Sequence, residues 1–181
     1  MNAPVRAALF RELLGAAAFD ALPAPVRALH LHQGLARYHG EVDVERGRSL
    51  LSRLCSWATR LPPAGRCAIE VEICATPGRE SWTRHVRGHA MRSRLRGGDD
   101  GLLIERLGAV EFGFRLQAVD GAIVWKVARV RVLGMLPLPS RWFARVGARE
   151  SAADGRYCFD VAAALPVAGL LVHYRGWLDV P

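Results

Sequence analysis

The chain has 181 residues, of which 51% are hydrophobic and 23% charged, and its formal net charge is +8. That balance excludes a disordered chain and suits one domain, residues 1–181, with a sizeable core. No stretch approaches the roughly 20 apolar residues that cross a bilayer, and the N-terminus lacks a signal-peptide pattern, so a cytoplasmic protein that does not span a membrane is expected.

Residues 1–34 read as helices. Val5, Leu9, Leu13 and Ala17 fall on one stripe, predicting a helix over residues 5–19. Asp20 to Pro23 breaks it, and a second short helix runs from Pro23 or Pro25 to about Leu31, since proline suits a first turn. Gly34 ends it. Residues 35–65 hold a strand over 35–46 and a third helix over 48–61, with Leu50, Leu54, Trp57 and Leu61 on one face.

Residues 66–181 read as an antiparallel meander of roughly eight strands. Cys67, Ile69, Val71 and Ile73 alternate with polar partners, and Pro77-Gly78 turns the chain. Strands over 81–89 and 90–96 follow, both rich in arginine. The stretch over residues 102–133 is the centre of the pattern. Val110, Phe112, Phe114, Leu116 and Ala118 point one way, and Asp120-Gly121 supplies a tight turn into a second β-rich run. Phe112 and Phe114 are expected to be buried. Residues 134–139 form a proline-bearing crossing, and strands over 143–151, 156–165 and 170–179 complete the set. The fold class is α+β: a single strongly curved antiparallel sheet, half-barrel or barrel, covered by the N-terminal helices.

All but one of the 25 basic residues are arginines, Lys126 being the exception, and they are scattered amid abundant Ala, Gly and Leu. Compositional bias explains this better than a nucleic-acid footprint, so nucleic acid is an unlikely partner. The basic strands around Trp82, Arg84 and Arg94 read as exposed faces kept in solution by charge. Cys55, Cys67, Cys74 and Cys158 form no C-x-x-C and read as free thiols. The six histidines, His30, His32, His39, His85, His89 and His173, lack companions at metal spacing, so no metal and no cofactor is expected.

A cluster of short matches resembles a bacterial family. It includes Leu9-Phe10, Phe19-Asp20-Ala21-Leu22-Pro23, Trp82-Thr83-Arg84, Gly134-Met135-Leu136-Pro137, Gly155-Arg156-Tyr157-Cys158-Phe159-Asp160, and His173-Tyr174-Arg175-Gly176-Trp177. The chain is similar to family 4166 of the domains of unknown function over nearly its whole length. The resemblance implies that such domains stand alone or follow an epimerase-like or reductase-like domain. No Rossmann glycine fingerprint occurs, so a free-standing member is expected, with a reductase or epimerase as a possible partner.

Polar residues inside strands carry the functional reading. Glu105, Glu150, Tyr174 and Arg175 lie among apolar neighbours, with Trp125 as a wall residue and His173 as a candidate base. A buried charge is costly unless paired. Arg175 is the expected anchor for an anionic head group, with Glu105 or Glu150 as its partner in the empty protein. The expected function is binding of an apolar or amphipathic small molecule, such as an anionic amphiphile, in the sheet's concave face. The alternatives are an isomerase, cyclase or hydrolase using the same cavity, or a partner module for a reductase or epimerase.

Overall fold

The computed structural model describes residues 8–49 and 63–181. Val5, Cys55 and most of the third helix expected over residues 48–61, including Leu54 and Trp57, lie outside the described residues. Within them, three helices precede the sheet: α1 (Leu9–Leu14), α2 (Ala16–Asp20) and α3 (Ala24–Leu31). The first two replace the continuous helix expected over residues 5–19. Gly15, at φ 83° and ψ 145°, breaks it. Glycine adopts that conformation without the steric cost a side chain would add. The break lets Leu9 and Phe10 on one side and Phe19 on the other all reach the core. In α3, Pro25 sits in the first turn, where its missing N–H costs nothing.

The strands are β1 (Gly34–Arg46), β2 (Gly65–Thr76), β3 (Arg79–Val86), β4 (His89–Gly97), β5 (Leu103–Leu107) and β6 (Val110–Val119). They continue as β7 (Ala122–Val132), β8 (Leu136–Leu138), β9 (Arg145–Ala153), β10 (Arg156–Leu165) and β11 (Gly169–Asp179). Neighbours run in the order β6-β5-β4-β3-β2-β1-β11-β10-β9-β7-β8, and β6 also pairs with β7. That pairing closes ten strands into an antiparallel barrel. The short β8 lies outside the ring, extending the edge of β7 beyond the point where β9 leaves it.

The pairing follows from alternation and turn chemistry. In β2, Ile69, Val71 and Ile73 are buried while Glu70 and Glu72 face outward. Asp120-Gly121 and Asp154-Gly155 both have positive φ at the two central positions, the geometry that matches the twist of two-residue hairpins. Arg87-Gly88 has it too, which places the β3–β4 turn two residues earlier than the sequence suggested. Residues 103–107, expected to run on towards the central hairpin, are a strand in their own right, turned at Gly108. Phe114 is buried as expected. Phe112 is only partly covered, although its ring stacks on Phe114 with centroids 5.6 Å apart.

The barrel's two ends differ. At one end lie the β4–β5, β6–β7 and β9–β10 connections, and there the helices pack: Leu9 and Leu13 approach Gly97, and Pro23 approaches Gly121. Side chains of α1 and α3 join the barrel's own core. Of the two forms expected, half-barrel or barrel, the sheet is the barrel, and the helices pack against one end of it. At the other end lie the β5–β6, β7–β8 and β10–β11 turns. Eight-stranded barrels are just filled by their side chains or hold one small ligand. Ten strands enclose a wider interior, of which the helices occupy one end.

The outer wall of β1 and β2 carries ion pairs, Arg37–Glu72 at 3.0 Å, Arg66–Glu41 at 2.6 Å and His39–Glu70 at 3.7 Å. Such a wall is not the apolar band of a membrane barrel.

The seam between β1 and β11 depends on two glycines. A Cβ on Gly40 would run into the carbonyl of Trp177, and one on Gly176 would meet the Glu41 carbonyl and, at 2.8 Å, the Phe159 ring. Gly176→Ala therefore forces the two strands apart. The expected outcome is a melting temperature lowered by roughly 5 °C or more, or failure to fold. Gly88→Ala meets open space, although its φ of 75° still disfavours a side chain, and is the milder control. Thermal denaturation of both variants checks the ranking.

Candidate functional site

Two polar groups of the interior come from residues of different strands brought to one level. The first lies beneath the helices. His30 projects from α3 into the barrel, where its Nε2 lies 2.6 Å from Glu150 Oε2. The imidazole stacks on Phe10, with ring centroids 3.7 Å apart. Tyr157 flanks the same carboxylate, and burial first, then the Glu150 charge, push its hydroxyl well above its ordinary range. Glu80 on β3 is buried nearby and accepts the Trp82 indole N–H at 2.7 Å. Burial raises the Glu80 pKa, against the pull of His30 and of that hydrogen bond.

The second group lies in the wall of the cavity. Arg84 on β3 donates from Nη1 to Ser93 Oγ at 3.0 Å, and its Nη2 is 4.0 Å from Glu105 Oε1. Its guanidinium also lies over the Trp82 ring, 4.9 Å from the centroid. The Arg84 and Glu105 side chains are only 12% and 9% exposed. Burial raises the Glu105 pKa, and Arg84 opposes that only in part. Tyr174 faces this group, its hydroxyl raised first by burial and then, against Arg84, by Glu105 and Glu150.

The cavity has a volume of about 160 Å³. Its deep walls are Trp82, Phe114, Trp125, Tyr157 and Leu178, all buried. Towards the end away from the helices the walls become Leu107, Val110, Val161, Leu165 and Leu171, all only partly covered. The mouth is therefore at that end. Among the described residues, Arg84, Glu105 and Glu150 are the charged ones of its lining. The Trp125 indole N–H is buried with no hydrogen-bond partner among the described residues.

The cavity wall carries Arg84, where the sequence reading expects Arg175. Arg175 faces outward. Its side chain is 58% exposed, and its Nη2 lies 3.9 Å from Asp43 and 3.7 Å from Glu45. The expected partners Glu105 and Glu150 are on the other side of the wall. His173 shares the outward face, with Nε2 2.8 Å from Asp160 Oδ1. Successive residues alternate faces, so Tyr174 is the residue of this trio that turns inward. Trp125, Glu105 and Glu150 do line the cavity. Arg84 lies inside, although the sequence reads its strand as an exposed basic face, and Glu80 falls just before that strand's expected start at residue 81. Their parity with the buried Trp82 and Val86 was the available signal, obscured by the arginines on both faces of β3 and β4. His30 was legible too, one helical turn after the buried Val26.

Among the described residues no three His, Cys, Asp or Glu side chains are grouped to hold a metal ion. Cys67, Cys74 and Cys158 are free. No helix among the described residues is long and apolar enough to cross a membrane.

A family model described as a domain of unknown function (DUF4166) matches residues 22–178, most of the chain, and the chain belongs to that family. No curated protein matches it.

The buried carboxyls set a pH dependence. A carboxyl raised in the folded state adds stability that is fully present below its unfolded pKa and is lost as pH rises through the folded one. Between the ordinary carboxylate value of 4.5 and the raised values of Glu80 and Glu105, the melting temperature should therefore fall with rising pH. Glu80→Gln, which keeps an acceptor for Trp82, should flatten that slope. Calorimetric scans from pH 4 upward compare the slopes; a variant as pH-sensitive as the wild type would show that Glu80 takes no part.

Proposed function

We propose that this member of the family binds a small, largely apolar molecule with an anionic head inside the barrel, and that Arg84 holds the head. The observation that carries the reading is a guanidinium set in the wall of a mostly apolar cavity, with one neutral partner and one distant, easily protonated one. A guanidinium stays charged at any working pH and offers five donors in a fixed fork. Ser93 takes one of them, and Glu105 is too far at 4.0 Å for a short hydrogen bond. Donors remain for a carboxylate, sulfonate or phosphate.

Volume sets the size of the body. A cavity of about 150 Å³ takes a molecule the size of benzene. The 160 Å³ here suits a single aromatic ring or a short branched chain, with any tail leaving through the mouth. A whole long-chain fatty acid does not fit inside. Binding is favoured over acid–base catalysis because Glu150 is already engaged by His30. Glu105 is then the cavity carboxyl without a short partner among charged groups.

The head group and Glu105 compete for Arg84. An anion that takes Arg84 leaves Glu105 with burial as its largest influence and the Ser93 hydroxyl as its remaining hydrogen-bond partner, so it picks up a proton more readily. Affinity for a strong-acid ligand should thus rise as pH falls through the raised Glu105 range. Benzenesulfonate, whose charge does not change with pH, is the probe, and titration calorimetry the measurement. Arg84→Met should weaken binding roughly tenfold or more, the scale of a charge-assisted hydrogen bond. Glu105 can accept a proton, so that variant leaves no obligatory buried charge. Glu105→Gln should bind more tightly at neutral pH and lose the pH dependence, and Arg175→Leu should bind like the wild type. Undiminished binding by Arg84→Met, or no saturable heat at any pH, overturns the reading.

A further inference from the structure

The end of the barrel that carries the mouth exposes large apolar side chains on adjacent turns. Leu133 and Met135, between β7 and β8, are 67% and 81% exposed, and Leu136 is also exposed. Trp142 projects from the short 3-10 turn that leads into β9, and Val167, at the β10–β11 turn, is 87% exposed. Single exposed apolar residues need no explanation, but five at one end of one small domain do. The register puts them there together: Val132 pairs with Leu136 and with Val110, while Arg145 pairs with Ala164 just before the Val167 turn.

The same segment is basic without exception. Between Asp120 and Glu150 the chain contains Lys126, Arg129, Arg131, Arg141, Arg145 and Arg149 and no acidic residue. Arg141 and Arg145 flank Trp142 and are both exposed. Arg129 is tied to Asp100 at 2.7 Å. In the ladder Glu111 lies opposite Arg131, where Arg96 holds it at 3.5 Å, and Asp160 lies opposite Arg149, where it meets His173 at 2.8 Å. Apolar tips flanked by arginines that form no ion pair among the described residues match an interface in which acyl chains begin just below anionic phosphates.

We propose that this rim docks the protein on anionic membrane surfaces, with Met135, Leu136, Trp142 and Val167 entering the headgroup layer and Arg141 and Arg145 meeting phosphates. The cavity mouth then opens towards the lipid rather than towards water. A sparingly soluble ligand could pass between bilayer and barrel without crossing solvent. The barrel does not span the bilayer, because its side wall is charged. The docking does not depend on what the cavity holds, so it stands or falls separately from the role of Arg84.

Sedimentation with vesicles of phosphatidylcholine alone, and of phosphatidylcholine mixed with phosphatidylglycerol, tests it on the full chain. Wild type is expected to sediment with the mixed vesicles at low salt and to be released as salt rises. Met135→Glu/Trp142→Glu and Arg141→Glu/Arg145→Glu should each lower the vesicle partition coefficient about tenfold or more. These residues are exposed, so melting temperatures should stay at the wild-type value, and benzenesulfonate binding should be unchanged. No sedimentation with either vesicle overturns the proposal. Sedimentation that the apolar pair does not reduce also overturns it, because charge alone would then suffice. If ultracentrifugation shows a dimer that Met135→Glu/Trp142→Glu dissociates, and no vesicle binding, the rim is a contact between copies and the proposal fails.

Discussion

A sheet that closes on itself has an inside, and whatever sits there must be satisfied there. The ladders join ten strands into one ring, and the wall admits water poorly. Interior charges can then be kept only by pairing, by hydrogen bonding or by neutralisation. All three occur. Glu150 is met by His30, Glu80 by the Trp82 indole, and Glu105 by Arg84 at a distance that leaves burial the larger influence on its proton. The N-terminal helices belong to the same logic. They bring Phe10, Val26 and Leu29 to an end that would otherwise be open, and one of them delivers the histidine that Glu150 needs.

Much of the sheet could be read from the chain because its strands are two-sided. Where one face is apolar and the other charged, as in β2, period-two alternation gives both the strand and its orientation. Asp-Gly pairs gave two hairpins for the same reason, since few other residues accept the required dihedral angles. The weak points were physical too. Arg87 occupies a positive-φ turn position that arginine seldom takes, so the β3–β4 turn was displaced. Closure itself leaves no local trace: β1 meets β11 and β6 meets β7 through pairings of which only the second lies between chain neighbours.

The site was half legible. Glu105 and Glu150 stood out as acids in apolar runs, and Trp125 as a bulky wall residue. Arg175 stood out equally, yet its strand alternates loosely, and the choice between Tyr174 and Arg175 turned on a parity that β11 alone does not declare. The seam decides it: Gly176 and Leu178 sit against β1, and the inward set is Val172, Tyr174 and Leu178. Arg84 was hidden in the opposite way. In a strand with basic residues on both faces, an inward arginine looks like its outward neighbours. Only the parity shared with Trp82 and Val86 separates it.

The seam also bears on how the chain is made. His39 pairs with Asp179, and each intervening hairpin can form as soon as its two strands have left the ribosome. The ring cannot. Until β11 emerges, β1 and β10 each present a bare edge, and the apolar inner face is shielded on few sides. Edges of that kind recruit strands from neighbouring chains. Outward charges on β1, among them Arg37, Glu41, Asp43 and Glu45, make the waiting edge a poor match for a neighbouring chain's strand, while Gly40 leaves room for the close approach of Trp177 on β11. Selectivity during synthesis is thus written into the same residues that later hold the barrel shut.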